Sequence, residues 1–220
     1  MAKNIGVLLA GCGVFDGTEI HEAVLTLLFV DRAGAQIVCL APDKPQHHVI
    51  DHLSQQETAS QRNVLVESAR IARGEIRSLK TVAASDLDAL IIPGGFGAAK
   101  NLSDFAFKGP GAEVDADVVR LIRDMASARK PIGAICIAPA VLAKALADRH
   151  PVVTIGNDVG TARAIEAMGG VHQDRAVDEI CVDEANRLVT TPAYMLGPGV
   201  KEVARGIEKL VAKVMEMLDA

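Results

Sequence analysis

The sequence predicts an α/β protein built on a mostly parallel sheet that helices cover on both faces. Short apolar runs of strand length alternate along the chain with segments whose apolar residues recur at helical spacing. Runs that are apolar throughout are typical of parallel strands, because both faces of such a sheet are buried. A hairpin pattern and a long amphipathic segment end the chain. Together these observations favour a three-layer arrangement with a C-terminal β-hairpin at one edge of the sheet.

Each element is predicted from one of two patterns, a short apolar run for a strand or apolar residues at helical spacing for a helix. Strands are predicted at residues 4–10, 36–41, 87–93, 131–136 and 152–156. Helices are predicted between them at residues 19–33, 62–73, 115–129, 139–149 and 161–168. Residues 179–183 and 187–191 flank a short turn and predict the hairpin, and the closing helix is expected from about residue 199 to 218. Residues 43–60 and 101–113 are long irregular stretches of the kind that often forms functional lids.

The composition indicates one domain spanning residues 1–220, with 50% hydrophobic residues. A net charge of -5 and an aromatic content of 3% provide neither a basic surface nor a stacking platform. We therefore expect no nucleic acid partner. The apolar runs are far shorter than the roughly 18 residues of a spanning helix, so we expect no membrane partner either.

The four cysteines lie far apart and form no C-x-x-C pair; they are Cys12, Cys39, Cys136 and Cys181. Such spacing argues against a disulfide framework and a zinc site, and it is typical of a reducing compartment. The first residues also lack the pattern of a cleaved signal peptide. These observations predict a cytoplasmic protein with free thiols.

Cys136 ends a predicted strand and stands just before a predicted helix, with alanines two residues to either side at Ala134 and Ala138. A nucleophile elbow needs small residues at these two positions, because its tight turn brings the flanking backbones together. The N-terminus of the following helix would favour a thiolate over a thiol. Cys136 is therefore the candidate nucleophile, and a cysteine that only packs in the core is the alternative.

Gly94 and Gly95 follow the strand predicted at residues 87–93. Ligands of parallel α/β sheets bind outside the carboxyl ends of the strands, so this turn and Cys136 are expected at one edge. Backbone N–H groups without side chains can approach a substrate oxygen closely. With the N–H of Ile137 they are predicted to form an oxyanion hole, and a plain turn that requires positive φ is the alternative.

Two glutamates at the start of the first helix compete for a role beside the thiol. Glu19 stands three residues after Asp16, the spacing of an N-capping pair, which gives it a structural role. Glu22 directly precedes the apolar run 23–30, where a carboxylate facing the sheet edge would be desolvated and its pKa raised. Such a group can hydrogen-bond a thiolate or carry a proton, so Glu22 is the predicted partner of Cys136. A solvated helix glutamate is the alternative.

Motifs for cofactors and metals are incomplete. The residue before Lys100 is not the glycine of a phosphate loop, and Asp16 stands where a dinucleotide fingerprint has its third glycine. The histidines at 47, 48 and 52 lack carboxylate or thiol ligands at suitable spacing. We therefore expect neither a metal nor an organic cofactor.

Five strings of the chain carry a resemblance to a known family: GCGVFDG (11–17), EIHEA (19–23), PGGFGAAKN (93–101), CIAPA (136–140) and TTPAYM (190–195). From about residue 3 to residue 218 the chain resembles the ElbB family of the class I glutamine-amidotransferase-like, ThiJ/PfpI superfamily. The resemblance implies a single flavodoxin-like αβα domain and a homodimer. It also implies a glutathione-independent glyoxalase that converts glyoxal to glycolate, with a link to isoprenoid biosynthesis. Counted back from residues 32–34, the glutamate of that superfamily falls on Glu22.

The chain departs from the superfamily at one position. Members that hydrolyse glutamine or peptides pair the cysteine with a histidine just after the next strand, whereas Asn157 and Asp158 follow the strand predicted at residues 152–156. This disfavours an amidotransferase subunit with a synthetase partner and leaves the thiol dependent on Glu22. The favoured function is a glyoxalase whose thiolate attacks a small α-oxoaldehyde. A cysteine-based redox sensor or a regulatory protein of isoprenoid metabolism is the alternative.

Overall fold

The computed structural model describes residues 2–219 and is centred on a seven-stranded sheet of order β10-β11-β7-β6-β1-β2-β5. The strands are β1 (Asn4–Leu8), β2 (Gln36–Ala41), β3 (Ile50–Asp51), β4 (Gln56–Glu57), β5 (Ile76–Ser78), β6 (Ala89–Ile92), β7 (Ile132–Ile135), β8 (Val152–Val153), β9 (Val171–His172), β10 (Cys181–Asp183) and β11 (Leu188–Thr191). Neighbours from β11 to β5 are parallel, and β10 pairs antiparallel with β11. The sheet is therefore mostly parallel and ends in the predicted hairpin.

Eight α-helices surround the sheet within the described residues. They are α1 (Ile20–Arg32), α2 (Val64–Ile71), α3 (Phe96–Lys100), α4 (Phe105–Lys108), α5 (Ala116–Ser127), α6 (Pro139–Ala145), α7 (Val159–Ala167) and α8 (Val200–Asp219). Their ends follow local chemistry, as in α5, where the Asp115 carboxylate accepts the N–H groups of Asp117 and Val118. None of these helices is long and apolar enough to cross a membrane.

Alternate residues of the central strands pack against helices on opposite faces of the sheet. Ile5 and Ile91 lie in the cluster that includes residues of α1 and α8, whereas Leu8 and Leu90 lie in the cluster that includes residues of α5 and α6. Successive side chains of a strand point to opposite faces, so both faces of these strands are apolar and buried. The predicted flavodoxin-like three-layer αβα sandwich is confirmed.

One predicted strand is displaced from the main sheet, and four short strands of the described residues were not predicted: β3, β4, β5 and β9. Residues 152–156 do not join the main sheet; β8 pairs instead with β9 in a separate two-stranded ladder. The main-sheet place beside β7 is taken by β11, which is longer and buried at all four positions. The edge strand β5 was not predicted, because it is three residues long and contains the exposed Arg77.

Candidate active site

Cys136 lies at the turn between β7 and α6 with a left-handed backbone conformation, φ +62°. Ala134 and Ala138 on either side are fully buried. The Cys136 N–H donates to the carbonyl of Thr191 at 2.9 Å, so β11 holds the turn in place. A non-glycine residue at positive φ costs on the order of 1–3 kcal/mol and persists only where its surroundings enforce it. The turn thus has the geometry of a nucleophile elbow.

Glu22 lies fully buried beside Cys136 because β1, β6 and β7 are neighbours whose carboxyl ends meet at one edge of the sheet. One carboxyl oxygen, Oε2, accepts the N–H of Gly94 at 2.9 Å, and Oε1 accepts the N–H of Tyr194 at 3.3 Å. The carboxyl group also hydrogen-bonds the Cys136 thiol. The loops that carry Gly94 and Tyr194 therefore hold the Glu22 carboxyl group beside the elbow that carries the Cys136 sulfur.

Burial raises the pKa of Glu22 to about 8, and the nearby charge of Glu19 adds to this effect. The N–H groups of Tyr194 and Gly94 and the hydrogen bond to Cys136 act in the opposite direction but are outweighed. A carboxyl group with this pKa is mostly protonated at neutral pH, so it can donate a hydrogen bond or carry a proton.

Burial also raises the pKa of the Cys136 thiol well above its ordinary value, and the Glu22 carboxylate adds to the rise. The N–H groups of Gly95 and Ile137 lower this pKa in part. From the dipole of the following helix, the sequence predicts instead a lowered pKa of this thiol. That expectation is wrong because α6 spans seven residues and its field is smaller than the cost of desolvating a buried sulfur.

The turn at Gly94 and Gly95 contacts both Glu22 and Cys136. The N–H of Gly94 is engaged by the Glu22 carboxyl group and is not free for a substrate oxygen, which corrects its predicted place in the oxyanion hole. The N–H groups of Gly95 and Ile137 point at the Cys136 sulfur. A Cβ atom on Gly94 would lie 2.5 Å from the Cβ of Cys136 and 2.8 Å from Glu22 Oε2. Only glycine fits at position 94 without moving these groups apart.

Cys136 borders a cavity of about 480 Å³. Apolar side chains form most of its wall, and the loop predicted at residues 101–113 contributes Phe105, Ala106 and Gly109 from α4 and the 3₁₀ turn that follows. The lining residues are Val14, Glu19, Gly95, Phe96, Ala99, Phe105, Ala106, Gly109, Cys136, Ile137, Gly160, Thr161, Ala164, Tyr194 and Met195. The cavity therefore joins the reactive thiol to a large apolar surface.

Tyr194 is a site residue that the sequence analysis missed. It lines the cavity, and its hydroxyl group lies 2.8 Å from Nδ1 of His21. Burial raises its pKa, so the hydroxyl stays neutral near pH 7. The preceding Ala193 has a positive φ of +44°, which marks a constrained turn after β11. The signal in the sequence was its place just past the carboxyl end of a strand beside β7.

Glu19 caps α1, although not as predicted. It is itself the N-cap, and its carboxylate accepts the N–H of Glu22 at 2.7 Å. Asp16, which was expected to form the capping pair, is buried in the preceding loop and accepts the N–H of Ile50. Both carboxylates therefore have structural partners, and neither contacts the sulfur.

No histidine lines the cavity among residues 2–219. Asp158, which follows the strand predicted at residues 152–156, caps α7 by accepting the N–H of Thr161. His172 is buried elsewhere and accepts the N–H of Ile155. Over the same described residues, no group of three or more His, Cys, Asp or Glu side chains is placed to hold a metal ion.

Relatives of the chain are found among both curated proteins and solved structures. A human protein named glutamine amidotransferase-like class 1 domain-containing protein 3, mitochondrial, is 46% identical over 98% of this chain and 84% of its own length. The ES1 protein homolog, mitochondrial, from Rattus norvegicus is 45% identical over 97% of this chain and 84% of its own length. An isoprenoid biosynthesis protein with an amidotransferase-like domain from Ehrlichia chaffeensis is 40% identical, covers 99% of this chain and 100% of its own, and superposes with a TM-score of 0.92.

The prediction of a cytoplasmic protein is wrong, because the curated relatives are named as mitochondrial proteins. Free thiols indicate a reducing compartment, but they do not distinguish one such compartment from another.

Family membership rests on agreement along most of the chain. The model of the DJ-1/PfpI family matches residues 12–195. That range contains every strand after β1, the elbow, the glycine turn and the buried glutamate. This chain therefore belongs to the DJ-1/PfpI family.

Proposed function

We propose that the protein is a glutathione-independent glyoxalase that converts glyoxal to glycolate without a cofactor. The observation that carries this proposal is the placement of the buried Glu22 carboxyl group beside Cys136, on either side of the Gly94 turn, at the wall of a cavity. A thiol beside a proton carrier suits an isomerisation that needs one nucleophile and one mobile proton. Membership of the DJ-1/PfpI family and resemblance to the ElbB family support the same chemistry.

The reaction begins when the Cys136 and Glu22 pair has lost one of its two protons. With the proton on Glu22, the Cys136 thiolate attacks one aldehyde carbon of glyoxal and forms a hemithioacetal. The N–H groups of Gly95 and Ile137 face the sulfur and hold the new oxyanion. Glu22 gives its proton to this oxygen, so the intermediate becomes neutral.

Glu22, now a carboxylate, removes the proton from the hemithioacetal carbon. The electron pair forms a C=C bond with the neighbouring carbonyl carbon, which gives an enediolate. Glu22 returns its proton to that carbon, the hydroxyl proton of the former hemithioacetal moves to the second oxygen, and the first oxygen becomes the carbonyl of a thioester. The product of this step is a glycolate thioester on Cys136, and water hydrolyses it to glycolate. One carbon is oxidised and the other is reduced, so the reaction needs no external oxidant or reductant.

The proposal is tested by incubating purified protein with glyoxal and measuring glycolate. We expect turnover by the parent chain and a Cys136→Ala variant at the background rate. Cys12→Ala serves as the matched control, because Cys12 lies outside the cavity lining and should retain full turnover. Absence of glycolate, or a Cys136→Ala variant as active as the parent, would refute the glyoxalase.

The alternative is a cysteine-based redox sensor or a regulatory protein of isoprenoid metabolism. The name of the Ehrlichia relative motivates the metabolic link. Cys136 is 8% exposed and its pKa is raised, and both properties slow oxidation by peroxide. We therefore favour the enzyme. Rapid and selective oxidation of Cys136 in mass spectra, together with negligible turnover, would reverse this preference.

A further inference from the structure

We propose that the cavity beside Cys136 selects α-oxoaldehydes that carry an apolar substituent of several carbons on the ketone carbon. This inference deepens the proposed glyoxalase function and rests on it. Glyoxal would then be a poor substrate, because it contacts only the part of the cavity next to the sulfur and leaves the apolar part unfilled.

The first argument is size. The cavity of about 480 Å³ lies within the range of about 300–1,000 Å³ that is typical of pockets for drug-sized ligands. Glyoxal has two carbon and two oxygen atoms and fills only a small part of that volume. The remaining space holds water when glyoxal is bound, whereas a larger substrate would displace it.

The second argument is the chemistry of the wall. Val14, Phe96, Phe105 and Met195 line the cavity, and Phe96 remains 48% exposed. Exposed apolar side chains around a concave site mark a place where apolar groups bind. Transfer of one methylene group from water into such a site is worth about a fourfold change in affinity at full burial.

The third argument is the placement of polar and apolar groups. The reactive groups come from the sheet edge, where Cys136 follows β7, Gly95 follows β6 and Tyr194 follows β11. Ala106 on α4 and Ala164 on α7 supply apolar wall from outside the sheet, and α7 lies against the 3₁₀ turn that follows α4. A substrate with its aldehyde at the sulfur would therefore place its substituent between α4 and α7.

The chemistry stays balanced for such a substrate. The thiolate adds to the aldehyde carbon, and the proton of that carbon moves to the ketone carbon, which becomes a secondary alcohol. Hydrolysis of the thioester with one water gives the 2-hydroxy acid with the substituent unchanged. The aldehyde carbon is oxidised and the ketone carbon is reduced, as with glyoxal.

A homologous series tests the inference by turnover. With methyl-, propyl- and pentylglyoxal we expect kcat/KM to rise by about two- to fourfold for each added methylene group, because the carbonyl chemistry is constant and only the buried area grows. An Ala164→Leu variant narrows the cavity and should flatten this rise. Ala167→Leu on the same helix is the matched control, because Ala167 is exposed and outside the lining, and it should keep the rise unchanged.

A second measurement does not depend on turnover. Cys136 is alkylated with iodoacetamide and with its N-benzyl derivative, and the rates are read from peptide mass spectra. The partly exposed Cys12, which does not line the cavity, reports the intrinsic reactivity of each reagent. We expect the benzyl reagent to be favoured at Cys136 over Cys12 by at least about tenfold, the gain of roughly two buried methylene equivalents.

The outcomes separate the two proposals. A flat or falling series together with no benzyl preference would overturn the apolar-substrate inference and leave a glyoxalase for small aldehydes. A benzyl preference without turnover of any aldehyde would support the apolar site and overturn the glyoxalase. A rising series with a benzyl preference supports both, and the absence of turnover and of preference overturns both.

Discussion

Glu22 and Cys136 are buried side by side. The Glu22 carboxylate raises the pKa of the thiol, whereas the hydrogen bond from the thiol lowers the pKa of Glu22 without cancelling the effect of burial. Neighbouring groups that are coupled this strongly lose their protons in steps that belong to the pair. Below a pH of about 8 both groups carry protons, and the first proton lost leaves one negative charge to be shared. The reactive form of the site is therefore the singly deprotonated pair.

This coupling predicts how activity depends on pH. We expect kcat/KM for α-oxoaldehydes to rise with pH through an apparent pKa of about 8, as the pair loses its first proton. The alkylation rate of Cys136 by iodoacetamide should rise over the same interval. A rate profile already level between pH 5 and pH 7 would mean that the pair is ionised at lower pH than its burial implies.

Replacing Glu22 by Gln tests the proton carrier. The amide keeps the size of the carboxyl group but cannot accept the proton of the hemithioacetal carbon, so we expect kcat to fall by about 10²- to 10⁴-fold. Glu22→Asp is the matched control for charge, because it keeps a carboxylate but shortens its reach to the sulfur. Full activity in the Gln variant would remove Glu22 from the mechanism.

The Glu22→Gln variant also tests how the free energy of unfolding depends on pH. The pKa of Glu22 is raised from 4.5 in the unfolded chain to about 8 in the fold, so the folded state holds one more proton between these values. The stabilising effect is thus fully present below pH 4.5 and is lost as the pH rises to 8. Between pH 5.5 and pH 7.5 the parent should lose about 2–3 kcal/mol relative to Glu22→Gln in urea unfolding. Parallel pH curves for the two proteins would contradict the raised pKa.

Tyr194 lines the cavity, and we expect its hydroxyl group to hydrogen-bond the substrate. Tyr194→Phe removes this group but keeps the backbone N–H that holds Glu22. We expect kcat/KM to fall by about tenfold, the value of one hydrogen bond, while alkylation of Cys136 keeps its rate. An equal loss in both measurements would show that the hydroxyl acts on the thiol or the fold and not on the substrate.

Whether the role of a single residue could be predicted depends on how far apart in the sequence its contacts lie. Small neighbours in the chain make Cys136 a candidate, and the adjoining apolar run makes Glu22 one. Local pattern was sufficient to select two residues that the structure places side by side, and their catalytic roles stay a prediction. The contact of His21 with Tyr194 joins residues 173 positions apart, and no local pattern reports it. The hydrogen bond from the Gly94 N–H to Glu22 joins residues 72 positions apart, which is also beyond the range of a local pattern.

The turn between β6 and α3 is the element on which the site depends most directly. Gly94→Ala would force a Cβ atom to 2.5 Å from the Cβ of Cys136, so we expect a loss of about 1–3 kcal/mol in unfolding free energy and a large loss of turnover. Gly111→Ala is the matched control, because a Cβ there meets nothing within 4 Å and the change should stay within about 0.5 kcal/mol. Equal unfolding free energies of the two variants would show that the turn accommodates a Cβ atom at position 94 without loss of stability.

Elements with strong periodicity were predicted closely, and short or displaced ones were not. α1 and α8 begin and end within two residues of the prediction, because long amphipathic patterns define both and Glu19 caps α1. β5 has three residues, which is too few for a periodic signal. The sequence of β8 is that of a buried strand, but its partner is β9 and not the main sheet. Which strands pair depends on competition between segments for a place in the sheet, and the sequence of one segment does not encode the outcome.

At the level of the whole molecule, alternation of apolar strands and helices was enough to predict the layers. The order of the strands was not predicted, because apolar runs of similar length are interchangeable in sequence. The placement of residues from β1, β6 and β7 at one edge followed from a general rule of parallel sheets, and the structure has these three strands as neighbours. The compartment could not be predicted, since free thiols are compatible with more than one.

The homodimer expected from family resemblance remains a prediction, and one surface favours it. Ile20, Val24 and Leu28 lie four residues apart on α1 and are between 41% and 50% exposed, so they form an apolar stripe on one face of the helix. A second copy of the chain would bury this stripe. We expect sedimentation velocity to give twice the 23.1 kDa mass of the chain, and Val24→Lys to shift the protein toward the monomer. Glu166→Lys, an exposed change on α7, controls for added charge. A parent chain that sediments as a monomer at high concentration would show that the stripe does not pair two copies.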